Sequence, residues 1–296
     1  MRIPAVGSPE QPLPNSISAH YPVCDAIGTD MSTQSLSLTS PEIEFAGKRA
    51  LITGGTRGIG RGIADRLLAG GASVAVAARS TPEDIGELIV IEADVSTADG
   101  AASLGQQALQ QLGGIDFVVH NVGGSTQSPG GSTTVSDPEW QHVFDGNLFT
   151  AVRLDRILVP TMLQQGSGAI VHITSIQRRT PLPASLPYAA AKAALANYSK
   201  ALANELAPSG IRVNAVAPGF IETEAAHQMV VEIADLDGTN LDTARTKIMD
   251  SIGGIPIGHP GRPQDIGELV AFLLSDRAGY LVGAEYVADG GSIRTV

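Results

Sequence analysis

The chain has a single cysteine, Cys24, among its 296 residues. One thiol cannot close an internal disulfide, and its place in a proline-rich N-terminal segment argues against a catalytic thiol, so a reducing, cytoplasmic setting is expected. Basic residues are also scarce: 19 lysines and arginines stand against 30 acids, a formal net charge of −11. That balance repels a phosphate backbone and no basic run offsets it, which excludes nucleic acid as an expected partner. No apolar run reaches the roughly 18 to 20 residues needed to cross a bilayer, so no membrane partner is expected either. Internal repeats are absent, and low-complexity sequence is confined to the N-terminal segment.

Residues 1–44 carry Pro4, Pro9, Pro12, Pro14, Pro22 and Pro41 among many serines, with no helical or alternating apolar period. They read as a disordered tail without the apolar core of a secretory signal or the arginine content of a transit peptide. Residues 45–296 hold one composition regime, close to the roughly 250 residues of an ordinary α/β domain. Short apolar runs there alternate with longer amphipathic stretches. Strands are expected at Arg49–Thr53, Ser73–Ala78, Leu88–Ala93, Ile115–Asn121, Ala169–Thr174, Arg212–Ala217 and near Tyr280–Val287. Helices are expected at Gly58–Ala69, Thr97–Leu112, Pro138–Leu163, about Leu186–Leu206 and Pro263–Leu274. Between Arg79 and Glu87, Pro82 and Gly86 leave a crossover helix truncated or absent. Continuously apolar strands such as Phe117-Val118-Val119 must be covered on both faces. The expected fold is a single-domain α/β, Rossmann-like, doubly wound parallel sheet of about seven strands flanked by helices.

Gly54, Gly58 and Gly60 lie in Thr53-Gly54-Gly55-Thr56-Arg57-Gly58-Ile59-Gly60, between a strand and a helix. Such a loop turns tightly and presents free amides to a pyrophosphate at the helix N-terminus, although its G-x-x-x-G-x-G spacing is also that of a plain tight turn. In a dinucleotide fold a carboxylate about 20 positions beyond the glycines usually takes the ribose 2′-hydroxyl. The second strand instead ends Ala78-Arg79-Ser80. Arg57 and Arg79 suit a 2′-phosphate clamp, so NADP(H) is favoured over NAD(H). Asp94-Val95 stands where an adenine is bracketed, or Asp94 caps the next helix. Asn121-Val122-Gly123-Gly124 and Pro218-Gly219 combine strand ends with permissive turns at the sheet's carboxyl edge, where a ligand crevice is expected. Finally, Tyr188 and Lys192 are four residues apart and share one helical face, where an ammonium favours a phenolate.

With these motifs in register, the chain resembles the classical short-chain dehydrogenase/reductase family over about residues 45–292. The likeness runs through the glycine loop, Asn121-Val122-Gly123, Asn147, Ser175, Tyr188-Ala189-Ala190-Ala191-Lys192, Pro218-Gly219 and Asp289-Gly290-Gly291. It implies a catalytic set of Asn147, Ser175, Tyr188 and Lys192. Tyr188 would exchange a proton with the substrate oxygen, Ser175 would align that oxygen, Lys192 would hold the nicotinamide ribose and depress the Tyr188 pKa, and Asn147 would position a water leading to solvent. A depression of about two pKa units corresponds to roughly 2.7 kcal/mol, within reach of a close ammonium plus the cofactor's charge. The implied cofactor contacts are Gly54, Arg57, Gly58, Ile59, Gly60, Arg79, Asp94, Val95, Asn121, Gly123, Tyr188, Lys192, Pro218, Gly219, Ile221 and Thr223; no metal is implied. Two departures stand out: Val122 replaces the family's usual alanine, and the short segment after Arg79 leaves the adenosine end less enclosed.

Residues 222–258 combine acids with apolar Met229, Val230, Val231, Ile233, Ile248 and Met249, and are expected to form a lid with its apolar side over substrate. Arg178 and Arg179 could meet an anionic substrate, or simply be exposed. The resemblance implies a homotetramer built through the Tyr188 helix and the last helix and strand. The expected activity is NADP(H)-dependent reduction of a small-molecule ketone, or oxidation of a secondary alcohol. The alternatives are a 3-oxoacyl thioester reductase and a catalytically silent dinucleotide-binding regulator.

Overall fold

A computed structural model describes residues 43–124 and 130–294. The expected disordered tail, with Cys24, lies outside the described residues up to residue 42. Within these residues seven strands form one sheet: β1 (Arg49–Thr53), β2 (Ser73–Ala78), β3 (Ile89–Glu92), β4 (Phe117–His120), β5 (Gly168–Ile173), β6 (Ile211–Pro218) and β7 (Glu285–Ala288). Their order is β3-β2-β1-β4-β5-β6-β7, and every pairing is parallel. The chain winds outward from β1 in one direction and then from β4 in the other, so the crevice at the carboxyl ends of β1 and β4 is the switch point of the sheet.

Among the described residues eight α-helices accompany the sheet: α1 (Gly58–Ala69), α2 (Ala98–Leu112), α3 (Asp137–Phe144), α4 (Thr150–Gln165), α5 (Leu186–Leu206), α6 (Glu224–Asp237), α7 (Leu241–Ser251) and α8 (Pro263–Leu274). Alternate strand residues face opposite layers. Ile52, Val119 and Val171 join Ile63 and Leu67 of α1 and Ile266 and Val270 of α8 in one core. Their neighbours Leu51, Val118 and Ile170 join Leu104 of α2, Leu154 and Leu158 of α4 and Leu202 of α5 in the other. Both faces are thus buried, which is why the central strands are apolar throughout. No helix forms between Arg79 and Glu87.

The stretch expected as one helix over Pro138–Leu163 is divided. A π-helical turn, Asp145–Phe149, separates α3 from α4. Such a turn widens the helix locally and is common at functional sites; here it carries Asn147, which is buried. Thr97 caps α2 by accepting from the Gly100 amide at 3.0 Å, so the cap considered for Asp94 belongs to Thr97.

Helices α1 and α8 touch through glycines. A Cβ on Gly62 would stand 2.7 Å from the backbone carbon and oxygen of Pro263, and one on Gly267 would stand 2.6 Å from the Gly62 oxygen. Helix propensity favours alanine over glycine by about 1 kcal/mol, but overpacking against immobile backbone costs about 1–3 kcal/mol. Gly62→Ala is therefore expected to lower stability by about 1 kcal/mol and Gly62→Val by more, read from urea unfolding midpoints at unchanged slope.

Candidate active site

The glycine loop and the end of β4 are knotted together by side-chain bonds. Thr53 Oγ1 accepts from the Asn121 and Val122 amides at 2.9 and 3.0 Å, and Asn121 Nδ2 donates to the Thr53 and Gly54 carbonyls at 3.0 and 3.1 Å. A Cβ on Gly60 would meet the Gly54 oxygen at 2.1 Å, so only glycine permits this closeness. The Asn121 side chain thereby shapes the loop rather than reaching outward. Ile59 packs against the core that α1 builds, and the Gly58 amide donates to the Glu224 carboxylate, at 3.0 Å from Oε2.

Arg57 and Arg79 are both exposed, on the loops that follow the neighbouring strands β1 and β2. Arg79 lies near enough to Asp94 to help hold that carboxyl below its ordinary range, behind the larger effect of the bonds from the Ser96 hydroxyl and amide. The Val95 side chain is buried in the sheet core. At the end of β6, Pro218 is buried and Gly219 abuts Asp289, where a Cβ would come within 2.7 Å of its Cα. Ile221 is buried and bridges to Gly261, and Thr223 caps α6 through the Ala226 amide at 3.2 Å.

The four residues of the expected catalytic set come from three adjoining segments. Asn147, in the π turn, donates to the Gly124 and Val143 carbonyls at 3.0 and 2.9 Å and accepts from the Gly124 amide at 3.1 Å. Ser175 follows β5, nearly buried, and accepts from the Gln177 amide at 3.2 Å. Tyr188 and Lys192 lie on α5 with the ammonium 5.7 Å from the phenol ring centre. Lys192 Nζ donates to the Ile173 carbonyl at 2.8 Å. A Cβ on Gly123 would stand 2.6 Å from Asn147 Oδ1 and 2.7 Å from Lys192 Nζ, so Gly123 lets the π turn and α5 meet there by lacking a side chain.

Burial pushes the Lys192 ammonium down to about 8. It pushes the Tyr188 phenol up, with a hydrogen bond to Ser175 pulling the other way. The expected depression of Tyr188 by Lys192 is not present in this arrangement, because the ammonium faces the ring and the Ile173 carbonyl, and desolvation prevails. The phenol is held protonated, the state of a proton donor.

Sequence reasoning missed a second polar group beneath this site. Asp155 of α4, fully buried, accepts from Tyr198 Oη of α5 at 2.9 Å and lies 2.7 Å from His120 Nε2 of β4. His172 of β5 pairs in register with His120, bonds Ser199 through Nδ1 at 3.0 Å, and directs Nε2 at Asp155 from 3.5 Å. The ligand-type atoms of His120, Asp155 and His172 lie within 4.8 Å of one another. The two imidazoles, however, are stacked at 4.9 Å with planes 11° apart. Near-parallel rings do not aim their in-plane lone pairs at one ion, so this geometry is that of a hydrogen-bonded network rather than a chelate. A signal did exist: Asp155 falls on the helical stripe Ala151, Leu154, Leu158, Met162, where a lone acid is out of place.

Arg178, considered for an anionic substrate, is instead bonded to Glu285 of β7, Nε to Oε1 at 2.5 Å. The lid region forms α6 and α7, and its buried Val230, Ala234, Ala244 and Ile248 pack the two helices on each other. Much of the apolar surface expected over substrate is thus used within the lid.

Comparison with known proteins gives the family of the chain. The family model described as enoyl-(acyl carrier protein) reductase matches residues 54–292. The chain belongs to the short-chain dehydrogenase/reductase family. It is 35% identical over 255 residues to the 3-oxoacyl-[acyl-carrier-protein] reductase FabG of Chlamydia muridarum, covering 82% of this chain and 96% of that protein. The FabG of Haemophilus influenzae is 34% identical over 254 residues, covering 83% and 98%. Among solved structures, the L-sorbose reductase of Gluconobacter frateurii complexed with NADPH and L-sorbose superposes with a TM-score of 0.80 at 31% identity, over 86% of this chain and all of that one. This short-chain dehydrogenase/reductase is therefore an oxidoreductase with the doubly wound sheet expected, and no described helix is long and apolar enough to cross a membrane.

The buried network makes acid stability specific. Burial, foremost, holds the His172 pKa below its ordinary 6.5, against the opposing pull of Asp155. The unfolded chain therefore takes up this proton first, and stability falls as pH drops below about 6.5, by at most about 1.4 kcal/mol per unit. Asp155, which burial pushes up but the combined pull of His120 and His172 holds below its ordinary range, adds a loss of the same sign only at more acid pH. Urea unfolding between pH 7 and 5 is expected to show a shallower pH slope for His172→Asn than for wild type.

Proposed function

We propose that this chain is an NADP(H)-dependent oxidoreductase that interconverts a ketone and a secondary alcohol, with Tyr188 as the proton donor and acceptor. The observation that carries the reading is a partly buried phenol kept protonated beside Ser175, on the helix that also buries the Lys192 ammonium. The glycine loop fits a dinucleotide: its Gly58 amide already holds an anionic oxygen, that of Glu224, where a phosphate oxygen would be held.

In this reading Gly54, Gly58 and Gly60 would hold the pyrophosphate, Arg57 and Arg79 the 2′-phosphate, and Pro218, Gly219, Ile221 and Thr223 the nicotinamide end. Asn121 and Gly123 shape the floor, and Asp94 and Val95 the adenine end. The reduced nicotinamide supplies the hydride. Ser175 orients the carbonyl oxygen, and Tyr188 gives that oxygen its phenolic proton as negative charge develops there; in the oxidative direction the phenolate takes the proton back. The Lys192 ammonium, bonded to the Ile173 carbonyl and 5.7 Å from the Tyr188 ring centre, would hold the nicotinamide ribose. Asn147, bonded to Gly124 on one side of Lys192, would order the water that returns a proton from solvent.

A second reading, 3-oxoacyl thioester reduction, is supported by the names of the curated relatives. The net charge of −11 weighs against an acidic carrier protein as the donor of that substrate. The complete catalytic set argues against a silent regulator. A cytoplasmic homotetramer completes the reading. Exposed Tyr280, Val282 and Val287 beside and on the edge strand β7 support the assembly, because such apolar surface is commonly covered in a partner. Light scattering should give four chains per particle; a monomer at micromolar concentration would overturn that part.

The decisive assay follows NADPH and NADH oxidation over aliphatic, cyclic, sugar and acyl-thioester ketones. Tyr188→Phe is expected to lower kcat at least about 100-fold while the dissociation constant of NADPH stays within about threefold. Unchanged turnover would remove Tyr188 as the acid, and a preference for NADH would remove the Arg57 and Arg79 clamp.

A further inference from the structure

The first turn of α1 contains no acid, and Arg57, its N-cap, makes no side-chain capping bond. The carboxylate at this helix end comes from elsewhere in the chain: Glu224, the first residue of lid helix α6, bonded to the Gly58 amide at 3.0 Å. The contact is broad, since a Cβ on Gly58 would stand 3.1 Å from the Thr223 methyl. The nearby acid Glu222 is engaged differently. It accepts from Arg245 of α7 at 2.7 and 2.9 Å, with His227 at 3.3 Å. Two acids at the root of the lid therefore divide the work: Glu222 ties the lid to itself, and Glu224 ties it to the glycine loop.

We propose that Glu224 is an internal competitor for the dinucleotide pyrophosphate, a carboxylate that must leave the Gly58 amide before the cofactor can use it. The proposal rests on the dinucleotide reading above and adds a residue that weakens cofactor binding. One amide hydrogen and the positive end of one helix dipole serve a single anion well, and two anions crowded there repel. Because Glu224 opens α6, its displacement also unfastens the root of the lid from the loop. Cofactor entry and lid freedom are then one event, and the returning carboxylate favours release of the oxidised dinucleotide.

The competition is for the pyrophosphate, so it is independent of the 2′-phosphate. Fluorescence titration of the purified full chain with NADPH and with NADH should show Glu224→Gln binding both more tightly, by about threefold to tenfold and by a similar factor. Glu224→Ala, which removes the acceptor altogether, should do the same. Asp235→Asn, an equal charge change at an exposed lid position, should leave both constants within about twofold. Unchanged or weaker binding in both Glu224 variants, with wild type binding normally, overturns the competitor while the oxidoreductase reading stands. An equal gain in Asp235→Asn also overturns it, because net charge rather than the Gly58 contact would be the cause. Failure of the wild type to bind either dinucleotide removes the underlying reading and this proposal with it.

Discussion

The Lys192 ammonium is buried with one hydrogen bond, to the Ile173 carbonyl, and much of the site is arranged by the need to hold that charge out of water. Burial alone costs a charge several kcal/mol, which is why its pKa comes down to about 8. The strand end of β5 must present a free carbonyl, and the chain after β4 must pass the ammonium without a side chain, at Gly123. Asn147 must then fill the space beside Gly123, and the π turn gives it the extra backbone width to bond Gly124 from both ends of its amide. The Ile173 carbonyl, Gly123 and Asn147 are thus three parts of one electrostatic solution.

Beneath that charge lies a second one. Asp155 joins α4 to His120 of β4 and to Tyr198 of α5, while His172 joins β5 to Ser199 of α5. The strands and helix so joined carry the crevice residues Asn121, Ser175, Tyr188 and Lys192. A buried carboxylate with partners on several elements is costly to misplace, so it penalises any slip of α5 against the sheet. Two ring nitrogens, His120 Nδ1 and His172 Nε2, lack a hydrogen-bond partner, and that cost is part of what the arrangement must offset.

Local chemistry was legible where one element carried it. Strand-loop-helix at Thr53–Gly60 and the four-residue step from Tyr188 to Lys192 could be read directly, and α1, α5 and α8 begin and end where their signals put them. The division of the expected Pro138–Leu163 helix was not legible, because a π turn leaves the apolar period almost intact and is stabilised by what Asn147 touches across the fold. Arg178 illustrates the same limit. Next to Ser175 in sequence it reads as a substrate contact, and only the parallel addition of β7 beside β6 brings Glu285 to it.

The sequence by itself determined the doubly wound sheet, the glycine loop and the shared helical face of Tyr188 and Lys192, because periodicity, turn chemistry and helical spacing act over a few residues and survive any context. Only the tertiary structure decided which groups share a burial site. Tyr188 is pushed up rather than down, Asp155 finds its histidines, and Glu224 reaches Gly58 across 166 positions of chain. Desolvation and charge pairing depend on what surrounds a group in space, and no local spacing encodes that.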